Sequence, residues 1–187
     1  MAVIRYRITG ISPLLMNSPA SMLTPTPTGA RAKTVPSPER EAENGAYRLP
    51  DGALYFPTLA FRQALIDAGT GRRIGKRGAS SVLTGSVFLP DGVGMETPLV
   101  DPDTSEPLRD YVVDVQRAVI RTTKAGVVRA RPRLDRWAAD IAFEYDDSFF
   151  PGELLTEVFA LAGTTIGVGN YRPQKRGIFG RFQVKEA

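Results

Sequence analysis

A chain of 187 residues with a formal net charge of +4 contains neither cysteine nor histidine. That excludes disulfides, thiolate or imidazole metal sites, a cysteine nucleophile and every Ser-His-Asp triad. The hydrophobic fraction of 42% suits one core, no apolar run approaches the ~20 residues of a membrane span, and the basic balance suits an anionic partner.

Alternation in Val3–Thr9 places Ile4, Tyr6 and Ile8 on one face of a strand, and Arg5 and Arg7 on the other. The segment lacks the apolar run of a signal peptide, so a cytoplasmic protein is expected. Residues 17–48 carry much Pro, Thr, Ser and Ala with little periodicity. They read as a long excursion, with Arg31 and Lys33 on it as a flexible basic arm. A Pro-Asp-Gly turn between apolar runs at 47–56 signals a hairpin. A helix follows over Thr58–Ala68, with Thr58 as cap, Phe61 and Leu65 on one face and Gly69 at its end. Arg72, Arg73, Lys76 and Arg77 then sit among glycines as a second basic arm or loop. Residues 86–100 read as two strands around another Pro-Asp-Gly turn. Three strands are expected over 111–123, 126–134 and 137–145, the last with Trp137, Ile141 and Phe143 buried. A helix over 151–162 carries Leu155, Val158 and Leu161 and ends at Gly163, and a last strand covers 178–184. Strand, long insertion, helix, strands, then strand, helix, strand describe an α+β chain. The expected fold is a single domain over 1–187: an elaborated ferredoxin-like (RRM-like) antiparallel sheet with two helices on one face.

Two segments carry the chemistry. Residues 167–182, GVGNYRPQKRGIFGRF, pack four glycines, four cations and three aromatics between helix and strand. A dinucleotide fingerprint fails there because its third glycine position holds Arg172 and a helix leads into a strand rather than the reverse. A P-loop fails for want of Gly-Lys-Ser/Thr. The RNA-recognition strand pattern fits RGIFGRF only with Ile178 inserted, which turns the aromatics to other faces. The physical reading remains: Gly167, Gly169 and Gly177 let backbone N–H groups approach phosphate, and Arg172, Lys175, Arg176 and Arg181 supply charge. Tyr171, Phe179 or Phe182 can stack a base, although both phenylalanines suit the core.

In GVVRARPRL, Arg129, Arg131 and Arg133 alternate with apolar residues and stand about 6.6 Å apart on one strand face. That step is comparable to the phosphate spacing of a stretched single strand. Pro132 cannot donate to a ladder, so an edge strand or a bulge is expected. Residues 109–136 hold eight cations against three acids.

The 167–182 segment, between a C-terminal helix and the last strand, resembles the glycine-rich loop of the RAMP superfamily (repeat-associated mysterious proteins). ITGISPLLMNSP resembles that superfamily's first strand and Ser-Pro-Leu segment. LYFPTLAFRQALIDAG is similar to its entry into the first helix, with Thr58 where glycine is common. The combination RPRLDRW, FEYD, GVGNYRP and GIFGRF is most similar to small RAMP-like proteins of bacteriophages and prophages. The resemblance implies binding of single-stranded RNA or DNA along a sheet or groove, often by subunits stacked in a filament. It implies a bacterial cell or phage-infected host as the setting.

For RAMP relatives that cut RNA without metal the usual base is a histidine, which this chain lacks; Tyr171, Lys175 or a serine would have to act. Asp101 and Asp103 read as loop residues, and Asp146 and Asp147 as acids before a helix, where they complement its dipole. The expectation is therefore a non-catalytic single-strand binder with no metal, no cofactor, no membrane contact and self-association. A RAMP-type endoribonuclease and a phage assembly protein with an acidic partner are the alternatives.

Overall fold

The computed structural model describes residues 1–20, 37–119 and 126–187, so Arg31 and Lys33, like Arg121 and Lys124, lie outside the described residues. In chain order the elements are β1 (Ala2–Gly10), β2 (Leu14–Leu15), α1 (Pro38–Gly45), β3 (Tyr55–Pro57), α2 (Thr58–Ala68), β4 (Arg73–Ile74) and β5 (Arg77–Gly78). They continue with α3 (Ala79–Ser86), β6 (Val87–Phe88), β7 (Glu96–Pro98), β8 (Val112–Val119), β9 (Gly126–Leu134), β10 (Ala138–Tyr145), α4 (Gly152–Leu161) and β11 (Phe182–Glu186). The chain is a mixed α and β structure whose strand pairs among the described residues are all antiparallel.

The principal sheet has the order β11-β1-β10-β6. β1 lies between β10 and β11, and β10 between β1 and β6, so the units β1-α2-β6 and β10-α4-β11 interleave. The alternation in β1 buries Ile4, Tyr6 and Ile8, opposite Phe143, Ile141 and Ala139 of β10. Both long helices cover that face. Phe159 of α4 meets the rings of Tyr6, Phe143 and Phe182 at 5.2, 5.2 and 5.5 Å, and Phe61 of α2 meets Phe182 at 6.0 Å. Buried side chains from Ile4 to Phe182 form one continuous apolar cluster. Truncating a ring such as Phe182 would cost about 3–5 kcal/mol.

A second sheet, β2-β9-β8, stands beside the first. Its central strand is β9, paired with β8 along its length and with β2 only at Leu134 and Arg133. Pro132 is buried at the point where β2 takes over: its carbonyl accepts from Met16 N–H at 3.0 Å. The missing N–H therefore faces the β2 side and leaves the β8 ladder whole. The strand is thus central rather than the edge strand or bulge expected from the proline; among the described residues no strand pairs with that side from 127 to 131, where α1 packs on β9.

Several expected boundaries move, each for a physical reason. Within the 17–48 excursion, Ser37 accepts from Arg40 N–H at 3.3 Å and opens α1 with Pro38 in its first turn. Only Ala42 and Gly45 of that helix are buried, so the apolar period that signals a helix is missing. Thr58 does not cap α2; its hydroxyl donates to the Gly94 carbonyl at 2.8 Å and lies 2.8 Å from that of Thr97. The two strands expected over 86–100 form as β6 and β7 but do not pair with each other, because β6 joins β10 and β7 joins β3. Gly163 does not end the last helix. The chain passes through a widened π turn over Ala162–Ile166, and Gly167 at φ 68° closes it. Gly163 stays inside because a side chain there would strike Phe182. The last strand begins at Phe182, not at 178, since 178–181 still belong to the loop.

Candidate nucleic-acid interface

The loop over residues 167–181 is fastened to β9 through β2. Asn170 N–H donates to the Leu15 carbonyl at 2.9 Å, Gly180 N–H to that of Pro13 at 2.7 Å, and Leu14 and Leu15 pair with Leu134 and Arg133. The two segments singled out in the sequence thus meet. Arg131 of β9 lies with its guanidinium carbon 5.4 Å from the centre of the Tyr171 ring.

The three β9 arginines share a face but not a fate. Arg129 is exposed and pairs with Glu41 of α1 at 3.0 Å, while the other Glu41 oxygen accepts from Ala130 N–H at 3.1 Å. Arg133 pairs with Asp135 at 2.7 Å and Asp114 at 2.8 Å, and these two carboxylates raise its pKa above the usual guanidinium value. Arg131 makes no ion pair among the described residues, and its buried Nε has no hydrogen-bond partner. Among the charged and aromatic groups of the described residues it meets Tyr171 alone, a cation–π contact of about 1 kcal/mol.

The loop's own order comes from its backbone. Tyr171 at φ 50° and Arg176 at φ 63° both lie in the left-handed region. The Tyr171 carbonyl accepts from Phe179 N–H at 3.1 Å. At Gly169 (φ 77°) a side chain would come within 2.6 Å of the Leu15 carbonyl, and at Gly177 it would collide with the Tyr171 carbonyl. Gly167, too, is crowded by Pro173 and Gly180, so the space beside each of these glycines is filled by the protein itself. Their role visible in the structure is loop closure. Arg172 is likewise turned inward: its Nε and Nη2 donate to Gln174 at 3.0 and 2.8 Å and its Nη1 to the Gly169 carbonyl at 3.1 Å. Gln174 passes the connection to Asp67 of α2 at 2.7 Å, and a cleft of about 240 Å³ opens between that helix and the loop.

Lys175, Arg176 and Arg181 are exposed, as are Arg72, Arg73, Lys76 and Arg77 on the β4–β5 hairpin. Phe182 is wholly buried and Phe179 half-buried, which leaves Tyr171 as the ring of the segment that meets a cation. Glu41, Asp114 and the Gln63–Asp67–Gln174 chain were not singled out as partners in the sequence. Only the Ser-Pro-Glu start of α1 hinted at the first.

No family model matches the chain, and no curated protein matches it. Among solved structures, the crystal structure of Cmr6 from Pyrococcus furiosus is similar over 98% of this chain and 98% of that chain, at 10% identity and a TM-score of 0.42.

Proposed function

We propose that this protein binds single-stranded nucleic acid, without cutting it, at the junction of β9 and the 167–181 loop. The observation that carries the reading is the Arg131–Tyr171 pair: a cation with no acidic partner among the described residues, lying over a ring held by a strained backbone. An aromatic face backed by a guanidinium stacks a base of any sequence, and neighbouring exposed cations neutralise phosphate. Lys175 and Arg176 supply that charge on the same loop. The fold reading that accompanies this is an elaborated ferredoxin-like domain of the RAMP kind, able to self-associate. The strand order β11-β1-β10-β6, with two helices on one face, supports the ferredoxin-like part.

Fluorescence anisotropy of labelled oligo-U and oligo-dT across a salt titration tests the binding. Log affinity should fall linearly with log salt, by about 0.7 for each phosphate contacted. The same strands, incubated with the protein with and without magnesium, should stay intact on a denaturing gel. An affinity indifferent to salt, or scission that disappears in Tyr171→Phe, would overturn the proposal.

A further inference from the structure

The cations of this protein divide by partner. Arg7, Arg48, Arg109, Arg129, Arg133 and Arg136 each pair with a carboxylate. Arg72, Arg73, Lys76 and Arg77 do not: all are exposed, and none makes an ion pair among the described residues. The chain around them is short of acids, since residues 68–90 contain no Asp or Glu and Asp67, just before, is bound to Gln63 and Gln174.

This charge is held in place rather than left on a loose loop. Arg73 pairs with Gly78 and Ile74 with Arg77 across a two-residue turn, with Gly75 at φ 58°. The hairpin base is closed by Ala79 N–H to the Arg72 carbonyl at 2.9 Å, and Ile74 packs on the core. Like charges gathered on one short hairpin repel one another, and no carboxylate pairs with them among the described residues. A bound polyanion relieves that repulsion and finds the backbone already ordered, so little entropy is lost on binding. The hairpin also stands at the loop's end of α2. Gln174 contacts Asp67, and Arg72 follows Asp67 by five residues, a reach of at most about 18 Å.

We infer that the β4–β5 hairpin is a phosphodiester-binding site, supplying most of the electrostatic attraction for a strand whose base stacks at Tyr171. The inference rests on the single-strand reading above. It assigns Arg129 and Arg133 to holding β9 in place rather than to gripping phosphate.

The test is the salt slope of oligo-U and oligo-dT binding. The R72Q/R73Q/K76Q/R77Q variant should lose about 2–3 from the slope, at ~0.7 per contact, with its melting temperature unchanged or raised. R72K/R73K/R77K, which keeps the charge, should retain the wild-type slope. R129Q/R133Q should lower the melting temperature and leave the slope within about 0.7, one contact's worth. Should the fourfold variant unfold, R73E alone, at an exposed position, should still lower the slope by about 1. Wild-type binding with a slope unmoved by the fourfold variant or by R73E would overturn this inference and leave the single-strand reading standing. A wild type with no salt-dependent binding would overturn both.

Discussion

Tyr171 holds a left-handed backbone that costs a non-glycine residue about 1–2 kcal/mol, although four glycines stand within the same segment. Chain geometry alone would favour glycine at 171. The ring is what the position retains, and its contact is Arg131. Tyr171→Ala should therefore weaken single-strand binding by about 1–3 kcal/mol, roughly 5- to 150-fold, for one stacked base. Tyr171→Phe should stay within about twofold, since stacking needs the ring and not the hydroxyl. Anisotropy titrations at fixed salt check both, and equal affinity for the alanine variant would remove Tyr171 from the interface. At this scale the sequence was informative about residue types and silent about partners. The alternation at 129, 131 and 133 and the Tyr171 ring were legible. That Glu41 and Asp114 would claim two of the arginines was not, because those acids come from segments 88 and 19 residues away.

Helix α1 shows how an element escapes a periodicity reading and still shapes the site. It buries almost nothing apolar, and its work is done by carboxylates: Glu41 on the β9 edge and Glu43 on Arg48 and Tyr111. Arg48 and then the Tyr111 hydroxyl hold the Glu43 carboxyl below its usual pKa, while burial and the Glu43 carboxylate push the Tyr111 phenol up to about 12. A depressed carboxylate pKa means that folding favours the charged form. Its stabilisation is complete above the unfolded value near 4.5 and is lost as pH falls through the folded value. Because Glu43 is half-exposed and its pair is screened by solvent, Glu43→Gln should thus cost about 0.5 kcal/mol at pH 7, with the deficit shrinking as pH drops below about 4.5. Thermal melts of both proteins from neutral to acid pH check this, and a deficit independent of pH would assign Glu43 a packing role instead. The strongly patterned elements β1, α2, β9, β10 and α4 were legible because each buries one face, and β8 through its β-branched run, although Val112 and Val115 are exposed. Of the short ones, the strands at β6 and β7 were legible beside their Pro-Asp-Gly turn but their partners were not, and β2 was not, since two residues carry no period and pairing is set by the whole chain.

At the scale of the molecule, the two sheets offer different surfaces to a strand. The helices cover one face of β11-β1-β10-β6, and the register fixes what the other face holds. Val3, Arg5, Arg7 and Thr9 stand there opposite Glu144, Ala142, Asp140 and Ala138, with Lys185 beside Arg7. The two central strands thus present no aromatic ring, and Arg7 is already paired with Asp140 at 2.8 Å. Base stacking in the manner of RNA-recognition strands needs rings at those places, because a charge alone attracts phosphate without fixing a base. The only ring among the outward residues named by the register is Phe88 on the edge strand, and Arg62 of α2 lies over it at 5.9 Å. The nucleic-acid path should therefore run along the second sheet, the loop and the β4–β5 hairpin, away from this open face. Reversing charge there, in Arg5→Glu with Lys185→Glu, should change affinity for oligo-U and oligo-dT by less than about threefold, the weak effect expected of exposed, salt-screened charges that do not contact the strand. Arg131→Glu should weaken it at least tenfold, through the loss of one contact and the gain of a repulsion. Side-by-side titrations near 0.15 M salt, where the Debye length is about 8 Å, decide between the surfaces: a larger loss from the open-face pair would move the strand to the sheet.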